Sequence, residues 1–193
     1  MNCLLIGDMG HGTQQQLDVA TSMKQLYSKY KPTFVVGLGD NIYPNGCNSI
    51  KDVQFQDKFE IPYHILPNDT WYMCLGNHDY GYELTLKGFK DNSMNQVRYT
   101  DYSEKWYMPS KYYSFTKGPV EFFYLDTNID RMSKSTIDTQ IRIMKKKIDS
   151  SKKKFKVVVG HHTWRSLGDH GNAEPKLEVF FNKLFKDTQP HLY

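Results

Sequence analysis

Four short segments carry residue types that bind hard cations and move protons. They are Gly7-Asp8-Met9-Gly10, Gly39-Asp40-Asn41-Ile42-Tyr43, Gly76-Asn77-His78-Asp79 and Gly160-His161-His162. Each follows an apolar run, closed by Ile6, Leu38, Leu75 or Val159. Carboxylate, phenol, amide oxygen and imidazole together suit iron, manganese or zinc better than a thiolate-seeking metal. Two such cations about 3.5–4 Å apart can hold a phosphate and activate a water. The pair needs a bridging carboxylate, and Asp40 is the candidate, with Asp8 capping one metal and Asn77 the other. Singly, each segment is weak: a Gly-Asp after a strand is usually a turn, and a lone loop histidine is usually structural. The four in order, each at the end of an apolar run, favour chemistry.

These tips must be brought together by strands that end at one edge of an open sheet. The pattern predicts strands over residues 3–6, 33–37, 71–75 and 155–159, and a hairpin of 111–117 with 120–126 around Gly118-Pro119. A helix after Thr13, placed as N-cap, carries Leu17, Val19, Ala20, Met23, Leu26 and Tyr27 and ends at Lys31-Pro32. Further helices are expected over 52–59, 135–149 and 173–185. In the third of these four, Ile137, Ile141, Ile143, Met144 and Ile148 supply the apolar positions. His191-Leu192-Tyr193 reads as the opening of another strand.

The chain has 193 residues, 39% of them hydrophobic and 15% aromatic, enough to build a core without disulfides, and it reads as one domain over 1–193. Cys3, Cys47 and Cys74 are odd in number and irregular in spacing, which excludes a disulfide framework and a thiolate metal site. The net charge of +4 comes from lysines between 145 and 156. They read as a solvated helix end rather than a nucleic-acid surface, because no aromatic interleaving accompanies them. Neither a nucleic-acid partner nor a membrane is expected, and no apolar run reaches transmembrane length. The first residues form no secretory leader, which by default places the chain in the cytoplasm. A secreted or lysosomal protein trimmed of its leader would carry the same sequence.

The four segments resemble the metallophosphoesterase superfamily. Tyr43, three residues after Asp40, narrows the likeness to the purple acid phosphatases, and within them to the tartrate-resistant type. Lys105-Trp106-Tyr107-Met108-Pro109 through Tyr112-Tyr113, Phe123-Tyr124-Leu125-Asp126-Thr127 and the loop from His161 to Gly171 resemble the same family. The resemblance implies an α+β chain in the four-layer α/β/β/α sandwich of the calcineurin-like type. It implies an acid phosphatase that hydrolyses small phosphate monoesters by attack of a metal-bound hydroxide. Asp8, Asp40 and Tyr43 would bind Fe(III), with Asp40 bridging. Asn77 and His161 would bind a divalent iron, zinc or manganese. His78, oriented by Asp79, and His170 would serve the scissile phosphate. His11, His64 and His191 are read as structural or surface residues, although His11 lies close to Asp8 in sequence.

The sequence also departs from that family. Its Gly-His-x-His motif, which gives each metal one imidazole, occurs nowhere in the 193 residues. The reading at this point is a chain incomplete at its C-terminus. The family's cysteine pair is absent, the segment 128–134 is short, and His162-Thr163 replaces an aromatic-Pro pair. Two other functions compete: another metallophosphoesterase, a phosphodiesterase or protein phosphatase, which Tyr43 disfavours; and a non-catalytic fragment.

Overall fold

The computed structural model describes residues 1–82, 84–85 and 88–193. They fall into two compact units, Met1–Ser110 and Lys111–Tyr193.

In the first unit, the elements run β1 (Leu4–Ile6), α1 (Gln14–Tyr30), β2 (Val35–Gly37), β3 (Trp71–Tyr72), α2 (Asn77–Tyr80), β4 (Leu84–Thr85), β5 (Gly88–Phe89), α3 (Ser93–Tyr99) and β6 (Trp106–Tyr107). β1, β2, β3 and β6 pair in that order, all parallel, while β4 and β5 form a small antiparallel pair. Val35 and Val36 are buried, as a parallel strand covered on both faces requires. The register Leu4↔Val35, Ile6↔Gly37 continues beyond both strands, with Leu38 N–H donating to Ile6 O at 2.8 Å and Asp8 N–H to Gly39 O at 3.0 Å. Asp8 and Asp40 therefore leave the sheet side by side.

α1 begins after Thr13 and stops at Lys31, whose φ of 48° breaks the helix before Pro32. Its buried stripe differs from the expected one. Gln16, Ala20, Met23 and Tyr27 face inward, at spacings of four, three and four. Leu17, Val19 and Leu26 are 42, 46 and 40% exposed. The stripe holds because Gln16 is satisfied inside: it accepts from Gly12 N–H at 2.8 Å and donates to Lys58 O at 2.6 Å. The helix expected over 52–59 is a π-helical turn, Gln56–Glu60. Phe55, Phe59 and Tyr63 join Trp71, Tyr99 and Trp106 in one aromatic cluster, with Phe55 stacked on Tyr99 at 3.6 Å and Phe59 edge-on to Trp71 and Trp106.

In the second unit, the expected hairpin forms from β7 (Tyr113–Lys117) and β8 (Val120–Tyr124), closed by Gly118-Pro119. α4 (Lys134–Ser150) then crosses to β9 (Phe155–Val159), which lies parallel to β8. Ser133 caps α4, its Oγ accepting from Thr136 N–H at 3.2 Å. α5 (Pro175–Phe185) follows, with Pro175 in its first turn. The strand expected at 191–193 is a single parallel bridge between Leu192 and Val157. Met144 and Ile148 of α4 pack with Phe180, Phe181 and Leu184 of α5 under Phe123, Leu125 and Val158. Phe181 is fully buried and contacts the rings of Trp164, Phe185 and Tyr193. Phe181→Ala should cost about 3–5 kcal/mol, seen as a lower denaturant midpoint.

Among the described residues, no helix is long and apolar enough to cross a membrane.

Candidate metal centre

The tips of β1 and β2 carry the first two carboxylates in strained backbone. Asp8 has φ of 55° and Asp40 of 50°, values that non-glycine residues rarely adopt. Such strain of order 1–3 kcal/mol persists where the surroundings over-determine it. Here the left-handed turn brings the two carboxylates together, with an oxygen of one within 4.8 Å of an oxygen of the other. Tyr43 completes the group. Its hydroxyl lies 2.8 Å from Asp8 Oδ1 and 2.9 Å from Asp40 Oδ2. Burial, then the hydrogen bonds to Asp8 and Asp40, push the phenol well above its usual range. Without a cation the phenol keeps its proton and uses it to separate two like charges.

The segment after β3 closes on the same group. Gly76 is required by contact: a Cβ there would lie 2.1 Å from Asp40 Oδ1. The single turn of α2 then sets His78. Its backbone N–H donates to Asp40 Oδ1 at 2.9 Å, and its Nδ1 lies 2.7 Å from Pro44 O. A carbonyl only accepts, so Nδ1 carries the proton and Nε2, 3.9 Å from Asp40 Oδ2, is the nitrogen free to exchange one. Asn77, half-buried, donates through Nδ2 to the Tyr82 hydroxyl.

Asp79 differs from its expected role. It does not orient His78; the Pro44 carbonyl does. Fully buried, the Asp79 carboxylate accepts from the backbone N–H of Gly76 at 2.8 Å, of Asn41 at 2.9 Å and of Ile42 at 3.1 Å. It accepts also from Asn41 Nδ2 at 3.1 Å and Gln96 Nε2 at 2.7 Å. It thus ties the Asp40 loop to the Asn77–His78 turn. Burial, opposed by these donors and reinforced by the charge of Asp40, pushes its pKa up to about 6. Sequence reasoning gave no role to Asn41 and Gln96, since a loop amide and an amide on a short helix read as surface residues until their partner is known.

In the second unit, His161 and His162 follow Gly160 just past the end of β9, half-buried. His162 Nδ1 lies 2.7 Å from Thr127 Oγ1. His170 is exposed in the turn closed by Gly171 N–H and Gly168 O at 2.9 Å.

The donor chemistry of Asp8, Asp40 and Tyr43 fits a hard, highly charged cation. All three atoms are oxygens, two are anionic, and the proton between them stands where positive charge is needed.

A chain with this sheet and these strand tips is a phosphoesterase by fold. It belongs to the calcineurin-like phosphoesterase family, which matches residues 1–192. It is 32% identical over 211 residues to purple acid phosphatase 3 of Arabidopsis thaliana, covering 98% of this chain and 55% of that protein. It is 30% identical over 160 residues to tartrate-resistant acid phosphatase type 5 of Mus musculus, covering 72% and 46%. The chain thus spans about half the length of these relatives. Two solved structures share the fold. One is a Plasmodium protein described as GAP50, the anchor in the inner membrane complex, at TM-score 0.78 and 22% identity over 96% of this chain and 62% of that chain. The other is purple acid phosphatase PPD1 from yellow lupin (Lupinus luteus) seeds, at TM-score 0.62 and 14% identity over 94% and 35%.

Proposed function

We propose that the protein is a purple acid phosphatase that hydrolyses small phosphate monoesters at an Fe(III)–M(II) pair. The observation that carries this reading is the Tyr43 hydroxyl held between Asp8 and Asp40. Other metal-dependent phosphoesterases have no need of a phenol oxygen at that point, whereas a tyrosine on ferric iron gives the colour of the purple enzymes. The relatives named above support the same assignment.

In this reading Asp8, Asp40 and Tyr43 would hold the ferric ion, and Asp40 and Asn77 would offer oxygens to a divalent iron, zinc or manganese. When bound, the pair would supply Lewis-acid activation of water and neutralise the phosphate charge. Tyr43 gives up its proton on loading, so metal uptake releases acid. His78, its Nδ1–H anchored on Pro44 O, presents Nε2 to pass a proton to the leaving oxygen.

The test is to load the purified protein with iron and assay an aryl phosphate alongside a diester. Wild type should absorb in the visible and prefer the monoester. Tyr43→Phe should lose that absorption and release less acid on loading. An active protein that is colourless and free of iron would sink the proposal.

A further inference from the structure

His11 is the one histidine beside this group that the proposed chemistry leaves unused, and its placement is built rather than incidental. The loop carrying it is fixed at both sides. A Cβ at Gly10 would fall 1.8 Å from Asn41 O, so the chain passes flush against the Asp40 loop there. Gly12, at φ 72°, donates its N–H to Gln16 Oε1 of α1. Between them the His11 ring lies flat on the Tyr43 ring, with centroids 3.8 Å apart and an interplanar angle of 15°. His78 approaches Tyr43 too, at 4.3 Å and 45°.

The backbone of Tyr43 is already pinned. Its N–H donates to Gly10 O at 2.9 Å, and its carbonyl accepts from Lys58 Nζ at 2.5 Å. Beyond the backbone, the side chain is held at its tip by the hydroxyl's contacts with Asp8 and Asp40 and on its faces by neighbouring rings. An offset or parallel ring contact supplies about 0.5–1.5 kcal/mol beyond area burial. That is enough to hold one rotamer several-fold over its neighbours.

We propose that His11 is a positioning residue for Tyr43: its imidazole face clamps the phenol ring and restricts its rotation while the hydroxyl is bonded between Asp8 and Asp40. The consequence for iron colour rests on the purple-phosphatase reading; the ring-holding does not.

Two measurements separate the two. In metal-free protein with 13C-labelled tyrosine, the Tyr43 ring signal, identified by its loss in Tyr43→Phe, reports ring flips directly. His11→Ala should speed flipping about two- to ten-fold, and His11→Phe, which keeps a flat ring there, should restore the slow rate. Equal rates in wild type and His11→Ala overturn the proposal, as does failure of His11→Phe to restore them. His11 is exposed, so His11→Ala should fold normally, and unchanged far-ultraviolet circular dichroism verifies this. In iron-loaded protein, His11→Ala should shift and broaden the visible band, and His11→Phe should recover it. A colourless wild type defeats the iron reading and leaves the flip-rate result to stand or fall by itself.

Discussion

Asp40→Asn is expected to abolish the proposed phosphatase activity, by about 10³-fold or more, while the protein folds as before. The loss corresponds to about 4 kcal/mol of transition-state stabilisation. The argument for intact folding is geometric. Asp40 Oδ1 accepts from His78 N–H and Oδ2 from the Tyr43 hydroxyl. Asparagine keeps an oxygen for the first, and its NH2 can donate to the Tyr43 oxygen while that hydroxyl donates to Asp8. The variant also removes one of two carboxylates held within 4.8 Å, so metal-free stability should be equal or slightly higher. What it takes away, under the proposed function, is the negative charge that would be shared between two metal positions. Bound metal should therefore fall below that of wild type, measured by elemental analysis after desalting. An Asp40→Asn protein with normal metal content and turnover would refute the assignment of Asp40.

The strand tips were legible because each combines an apolar run with a glycine and a polar donor, and the parallel register of β1 and β2 turns that pattern directly into proximity. The β7–β8 hairpin and α4 were legible for similar local reasons. The buried face of α1 was not. Hydrophobicity favours Leu17 over Gln16, and it takes Gly12 and, far along the chain, Lys58 to make Gln16 an interior residue. The run 71–75 narrows to the two paired residues of β3. α3 and β6 escaped because seven and two residues carry too little periodicity to register. Asp79 is the instructive miss. Its neighbour in sequence is His78, yet one helical turn points the carboxylate inward to donors on three segments.

That inward placement makes Asp79→Asn the complement of Asp40→Asn. Gly76 N–H and Asn41 Nδ2 converge on one carboxylate oxygen, and Ile42 N–H and Gln96 Nε2 on the other. Whichever way an asparagine is turned, its NH2 meets donors in a fully buried site: Ile42 N–H and Gln96 Nε2 lose their acceptor in one orientation, and Gly76 N–H in the other, where Asn41 Nδ2 keeps Cys74 O and Gln96 Oε1. Each such loss costs about 1–3 kcal/mol, so a destabilisation of about 3 kcal/mol and a melting temperature roughly 10 °C lower are expected. The pH dependence should change as well. A carboxyl pushed up to about 6 binds its proton more tightly folded than unfolded, so its stabilising contribution is full below about pH 4 and lost as pH rises through about 6. The melting temperature of metal-free wild type should carry that decline, and Asp79→Asn should lack it. The two variants then separate fold from chemistry: Asp40→Asn loses metal at normal stability, whereas Asp79→Asn loses stability first and metal because the Asp40 loop and the His78 turn are no longer tied. A variant at Asp79 that melts with wild type would show that the five donors are satisfied some other way.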